Sequence, residues 1–203
     1  NWVIIKFYIS KFKLMSKKIV ITGGLGYIGT ELCKIYSGYS WNDKITVIDN
    51  RFISERINQL RKWNINFIHG DILDKDLVKE HCHDADIIHH LAGITDVPRV
   101  KSESNDDQEK KIKEVAEEGT QNILDVISKK CKIIMPSTHV VFEGIKEVKK
   151  DILEDEETKP VLSYGKSKDY NEKQLKSSGK NYIIVRLGSV YGYSTDTARI
   201  DIM

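Results

Sequence analysis

At 203 residues the chain can bury one good core, or one domain and part of another. Charged residues make up 31% and apolar residues 40%, the balance of a soluble globular protein rather than a disordered or membrane-embedded one. The formal net charge of +2 gives no electrostatic footprint for nucleic acid, and runs such as Lys110-Lys111 and 154–157 read as solvated faces.

Residues 1–14 (NWVIIKFYISKFKL) are apolar and basic, too short to span a bilayer, and lack a signal-peptide cleavage pattern. Met15-Ser16-Lys17-Lys18 leads directly into the first strand-like run and looks like a natural start. Residues 1–16 are therefore expected to be an extension outside the fold, with a weak membrane-surface anchor as the alternative. Residues 17–203 are expected to form one domain.

The first strand is expected at 18–22. It breaks into Gly23-Gly24-Leu25-Gly26-Tyr27-Ile28-Gly29, after which helical spacing begins. A strand that delivers a glycine cluster to a helix N-terminus can cradle a dinucleotide pyrophosphate. Gly23 or Gly24 permits the tight turn, Gly26 lets the backbone approach the phosphates, and Gly29 allows close helix packing. The anion then meets free N–H groups and the positive end of the helix dipole. The helix is expected over 27–37 and the second strand over 45–49. That strand ends at Asp49, twenty residues after Gly29, where a carboxylate can accept hydrogen bonds from the adenosine ribose and repel a 2′-phosphate. NAD is therefore favoured over NADP, although Arg51 stands two residues on and could bind that phosphate instead.

Further along, helices are expected at 53–62, 74–80, 107–128 and 164–177, and strands at 66–69, 87–91, 132–135 and 182–187. Strands alternating with helices, without repeats or proline-rich linkers, predict an α/β fold: a doubly wound parallel sheet with helices on both faces. Asp74 is a candidate N-cap. Ile112, Val115, Ala116, Ile123, Leu124 and Ile127 form the expected buried stripe of the long helix. Cys33, Cys82 and Cys131 are scattered singly, as suits buried thiols in a reducing cytoplasm. His81, His83, His89 and His90 have no cysteine partner nearby and are read as structural, with no metal site.

Two segments carry candidate chemistry. In Ser163-Tyr164-Gly165-Lys166-Ser167-Lys168, Tyr164 and Lys168 are four apart and share a helix face. A free tyrosine has a pKa of about 10, and a neighbouring ammonium lowers it toward working range as a base. Just after the fifth strand, Pro136-Ser137-Thr138-His139-Val140-Val141-Phe142 places hydroxyls where open α/β sheets bind ligands.

Taken together, these segments resemble the extended short-chain dehydrogenase/reductase family, in its NAD-dependent nucleotide-sugar epimerase/dehydratase branch, from about Lys17 to Gly192 and in the family's order. The resemblance implies a Rossmann sheet and a cofactor site of Gly23, Gly26, Tyr27, Ile28, Gly29, Asp49 and Asn50. It adds Asp71 and Ile72 at the adenine, Leu91, Ala92 and Gly93 beneath the nicotinamide, and Tyr164 with Lys168. STHVVF resembles the family's Ser/Thr-x-x-Val-Tyr segment. Aligning Val141-Phe142 on its Val-Tyr makes Thr138 the catalytic hydroxyl with Ser137 one residue early, and a one-residue slip would exchange them. RLGSVYG, from Arg186 to Gly192, resembles the strand exit that begins the sugar-nucleotide site, with Ser189 in it. Ser137, Thr138 and Ser189 are thus the substrate-binding candidates, and Thr138, Tyr164 and Lys168 the catalytic ones.

Three departures from the family pattern bear on function. Ala116 stands where the family usually has Asn, and Ser189 replaces the Asn that begins the sugar-nucleotide site. His139 and Val140 follow Thr138 where dehydratases carry Asp-Glu, which disfavours 4,6-dehydratase chemistry. Family members also continue well beyond the length seen here, so the small C-terminal substrate domain is expected to be largely missing. The expected function is an NAD-dependent epimerase acting on a nucleotide sugar, possessing a homodimer interface only by family implication. The alternatives are a non-catalytic NAD-binding scaffold or redox sensor, and a reductase of a non-sugar carbonyl.

Overall fold

The structure is a computed structural model, described here for residues 16–39, 42–95, 105–147 and 151–192. Nearly all of the N-terminal extension, residues 1–15, lies outside the described residues.

Among the described residues six strands alternate with five helices: β1 Lys18–Thr22, α1 Tyr27–Tyr39, β2 Lys44–Asp49, α2 Ser54–Lys62, β3 Asn66–His69, α3 Lys75–Cys82, β4 Ile87–His90, α4 Asp106–Val126, β5 Lys132–Thr138, α5 Ser163–Ser177 and β6 Asn181–Leu187. All pairings are parallel, in the order β3-β2-β1-β4-β5-β6. The chain returns from the β3 edge to the centre at β4, so the strand order reverses between β1 and β4. A ligand crevice forms at the carboxyl ends of two strands that diverge in this way.

Strand side chains alternate between faces, and the core divides accordingly. Ile19, Ile21, Ile45 and Val47 pack with Cys33 of α1 and Ile57 and Leu60 of α2. Val20, Ile48, Ile88, Ile133 and Met135 pack with Val78 of α3, Ile123 and Leu124 of α4 and Leu175 of α5. The sheet is therefore covered on both faces, as parallel sheets require. On β6, Ile184 joins the second cluster, whereas Ile183 and Val185 on the opposite face are exposed.

Every expected strand and helix is present, most with shifted ends. Asp74 caps α3, its Oδ1 accepting from the backbone N–H groups of Asp76 and Leu77 at 3.1 Å. Asn105 caps α4 ahead of Asp106, Asp107 and Glu109, which complement the helix dipole. Of the expected α4 stripe, Ala116 is half-buried and the others are buried. The largest shift is in β5, expected to stop at Met135 but continuing to Thr138. Its ladder with β4 ends at Ile134 while pairing with β6 runs on, so Pro136 lies where one side of the strand is already free. Ser137 and Thr138 consequently sit within the strand end, and His139–Phe142 forms a 3₁₀ turn after it. The three cysteines are buried free thiols, with burial pushing Cys33 and Cys82 up to about 12 and Cys131 to about 11.

Candidate active site

The glycine cluster occupies the end of β1 beside β4. Gly23 takes a left-handed conformation (φ 69°), and a Cβ there would lie 2.7 Å from the Ala92 nitrogen. Gly23 is therefore the glycine that makes the turn. Gly24 is required for space instead, since its Cβ would meet Val47 Cγ1 at 2.6 Å. A Cβ on Gly29 would strike Gly24 Cα at 2.6 Å, so the third glycine packs the helix onto its own loop. The Thr30 N–H makes the first α1 bond, to the Gly26 carbonyl at 3.0 Å. The N–H groups of Tyr27, Ile28 and Gly29 thus belong to the first turn, which has no intrahelical acceptors, and no acidic residue stands there. A cradle without side chains beside open N–H groups suits a pyrophosphate.

Asp49, with its side chain 3% exposed, holds the adjacent turn. Its Oδ2 accepts from the Leu25 N–H at 2.9 Å, and its Oδ1 from the Arg51 N–H at 3.0 Å. The Arg51 guanidinium forks the same carboxylate, Nε to Oδ1 and Nη2 to Oδ2, each at 3.1 Å. Next to it, Asn50 Nδ2 donates to Asp71 Oδ2 at 2.9 Å, while Asp71 Oδ1 accepts from the Leu73 N–H. Ile72 is buried against Gly119, where a Cβ would meet Ile72 Cδ1 at 2.3 Å.

Leu91, Ala92 and Gly93 follow β4, and the Ala92 backbone packs against the Gly23 turn. Beneath them, His90 joins three elements: Nδ1 lies 2.9 Å from Thr22 Oγ1 and Nε2 lies 3.0 Å from Thr120 Oγ1. Thr120 in turn accepts from Asn171 Nδ2, which also donates to the Ala116 carbonyl at 2.7 Å. Burial, with the Lys168 charge adding to it, lowers His90 to about 3, so it is neutral. His89 points the other way and meets the Tyr36 hydroxyl at 2.7 Å. Among the described residues no group of histidines, cysteines and carboxylates could hold a metal ion.

Tyr164 and Lys168 lie on one side of α5. The Lys168 Nζ stands 5.9 Å from the Tyr164 ring centroid and 3.8 Å from where a Gly93 Cβ would be. The ammonium therefore lies near the chain just beyond the end of β4. Burial lowers Lys168 from 10.5 to about 8. Glu143 Oε1 accepts from the N–H groups of Val161 and Leu162 at 2.7 and 2.6 Å, which anchors the start of α5 to the turn after Thr138.

Ser137 and Thr138, neighbours on a strand, face opposite ways. The Ser137 hydroxyl donates to Glu172 Oε1 at 2.6 Å, on the α5 side. Thr138 caps the 3₁₀ turn, its Oγ1 accepting from the Val140 N–H at 3.3 Å. Glu172 is also forked by Arg186 of β6, at 2.9 Å from Nε and 2.7 Å from Nη2. Ser189 lies exposed beyond β6, and the Tyr27 hydroxyl donates to the Gly192 carbonyl at 2.6 Å.

The sequence had singled out Tyr164 and Lys168 but not Glu172, which continues their spacing by four more residues. It also missed Glu143, Thr22, Thr120 and Asn171. The repeat of four was a usable signal for Glu172, whereas the others have partners remote in sequence.

The family model described as "NAD dependent epimerase/dehydratase family" matches residues 19–202. A dTDP-D-glucose 4,6-dehydratase of Dictyostelium discoideum is 31% identical over 90% of this chain and 46% of its own length. A UDP-glucose 4-epimerase of Mycoplasma genitalium is 30% identical over 81% of this chain and 48% of its own. A solved UDP-glucuronic acid 4-epimerase from Bacillus cereus, in complex with NAD, superposes with a TM-score of 0.70 and 25% identity, over 89% of this chain and 60% of that one. The chain therefore spans about half the length of these curated relatives. Among the described residues no helix is long and apolar enough to cross a membrane.

Proposed function

The chain belongs to the NAD dependent epimerase/dehydratase family, and from that premise we propose that it is the dinucleotide-binding part of an enzyme that oxidises a hydroxyl of a nucleotide-activated sugar, with epimerisation as the outcome. The observation that carries this reading is the Tyr164–Lys168 pair, with a buried ammonium near Gly93, the residue after the Ala92 backbone that packs against the glycine turn.

NAD, when bound, supplies the hydride acceptor. The turn at Gly23 and Gly26 and the N–H groups of Tyr27, Ile28 and Gly29 hold its pyrophosphate, and Asp49 with Asn50 takes the adenosine ribose. Asp71 and Ile72 border the adenine, and Leu91, Ala92 and Gly93 support the nicotinamide. Tyr164 takes the proton from the sugar hydroxyl. Lys168 favours the phenolate electrostatically and reaches the nicotinamide ribose. Thr138 is the hydroxyl that polarises the reacting oxygen, because Ser137 is committed to Glu172 on the other face of the strand. Ser137 then acts by fixing the strand end, and Ser189 stands at the start of the sugar-nucleotide site. His139 and Val140 offer no carboxylate pair for elimination, which favours epimerisation over 4,6-dehydration.

The buried free thiols accord with a reducing cytoplasm, and of the expected lobe of residues 17–203 the segment 193–203 lies outside the described residues. Substitution of Tyr164 by Phe in the full-length protein should lower turnover about 10²–10⁴-fold while leaving NAD affinity nearly intact. A catalytically unimpaired Tyr164→Phe variant would refute the assignment. A full-length protein that binds NAD and turns over no nucleotide sugar would favour the scaffold alternative.

A further inference from the structure

β1 and β6 are not neighbours. β4 and β5 lie between them, so their carboxyl ends are three strand spacings, about 14 Å, apart. A side chain nevertheless joins the segments that leave those two ends. Tyr27, the first residue of α1 after the glycine turn, donates its hydroxyl hydrogen to the Gly192 carbonyl at 2.6 Å. Because β6 ends at Leu187, residues 188–192, with Ser189 among them, turn back along the carboxyl edge of the sheet toward the glycine turn.

Among the described residues, hydrogen bonds hold this strap at both of its ends. His139 Nδ1 lies 3.3 Å from the Leu187 carbonyl, beside Thr138, and Tyr27 holds Gly192. Between them Gly188, Ser189 and Tyr191 are exposed and Val190 is half-buried. Gly192 has a φ of 136°, which glycine adopts at no steric cost, so the chain can turn at the point of contact. A segment with so little buried surface opens locally at low cost, and one hydrogen bond then weighs heavily on where it sits. The other end of the contact is the phosphate-binding turn itself. The Tyr27 N–H belongs to the first turn of α1, which has no intrahelical acceptors, so an anion bound there fixes the residue whose hydroxyl holds the strap.

We propose that Tyr27 is a positioning residue that couples the two halves of the site: a pyrophosphate on its N–H fixes the tyrosine, and the hydroxyl then holds residues 188–192, with Ser189, in place for the nucleotide sugar. Cofactor binding and order on the substrate side are thereby linked through one side chain. The inference rests on the dinucleotide reading of the glycine turn given above.

Amide hydrogen exchange of the purified chain, with and without saturating NAD, tests it in the parent and in Tyr27→Phe, which keeps the ring and removes only the hydroxyl. In the parent, NAD should slow exchange in residues 23–29 and also, about three- to tenfold, in residues 188–192, the range that one net hydrogen bond supplies. In Tyr27→Phe, NAD should still slow exchange in residues 23–29, while its effect on residues 188–192 falls below about twofold. Exchange in β1 and β4 serves as the internal standard and should be the same in both proteins, since a loss of fold would quicken it there as well. A strap that NAD leaves unchanged in the parent, or slows equally in both proteins, overturns this inference alone. Faster exchange throughout the sheet of Tyr27→Phe also overturns it, because the hydroxyl would then serve the fold and not the coupling. A folded parent in which NAD slows nothing at residues 23–29 overturns the reading of the site and this inference with it.

Discussion

Replacing Glu172 by alanine strips the junction of β5, β6 and α5 of the carboxylate that ties it together. The Glu172 side chain is 1% exposed and that of Arg186 16%, so solvent screens their pairing little. Two charge-assisted bonds from Arg186 and one from Ser137 converge on it. Lys176, a second cation at 3.3 Å, is 49% exposed, and such a pair contributes only about 0–1 kcal/mol. Removing one partner of a buried pair costs about 3–5 kcal/mol because the other charge is left uncompensated. The low end, about 3 kcal/mol, is expected here, since Arg186 keeps its bond to the Glu154 carbonyl and its place over the Phe142 ring. For a domain of this size that corresponds to a fall in Tm of about 6–12 °C.

Urea unfolding followed by circular dichroism measures the loss, with an unchanged m-value as the sign that native and unfolded states are otherwise alike. A double-mutant cycle with Arg186→Met isolates the pairing. The pH dependence supplies a separate check. Burial pushes the Glu172 carboxyl up, but the bonds from Arg186 and Ser137 and the Arg186 charge outweigh it, so the group lies below its ordinary value. A carboxyl lowered on folding stabilises fully above its unfolded pKa of about 4.3 and loses that contribution as pH falls through the folded value. The acid limb of the stability profile should therefore be flatter in Glu172→Ala. A loss under about 1 kcal/mol, or strict additivity with Arg186→Met, would refute the reasoning.

Two further outcomes follow from the crevice itself. Gly23→Ala should destabilise the chain by about 2 kcal/mol or more and abolish detectable NAD binding, because φ is 69° and the new Cβ meets Ala92 backbone at 2.7 Å; wild-type stability in chemical denaturation would contradict this. For Lys168, burial lowers the ammonium from 10.5 to about 8, so between those values the unfolded chain binds more protons and stability rises with pH. Compared with Lys168→Met, the parent should gain up to about 1.4 kcal/mol per pH unit across that window, and parallel profiles would show that Lys168 is not buried as described.

The parts of the fold carried by local pattern were readable from the chain. Alternating apolar runs and helical stripes located the six strands and five helices of the described residues, and Asp74 was legible as a cap because capping is set within one turn. Element ends were less so: β5 reaches Thr138 because β6 continues to pair with it, a long-range cause that leaves no mark near Pro136. The glycine loop, Asp49 and the Tyr164–Lys168 spacing pointed to their places for the same local reason. Which of Gly23 and Gly24 makes the turn depended on Ala92 and Val47, both distant in sequence. That the Ser137 hydroxyl is engaged likewise needed Glu172, which meets it from another element. The His90 network was hidden because Thr22, Thr120 and Asn171 come from three separate elements.

The most direct measurement for the account as a whole is calorimetric titration of the purified chain with NAD, with Asp49→Ala as the control. Saturable NAD binding that weakens about tenfold or more in the folded control is the expected result, since Asp49 holds the Leu25 turn and, under the proposed function, takes the ribose. A folded chain that binds no NAD, or an Asp49→Ala variant that binds it as well as the parent, would contradict the account.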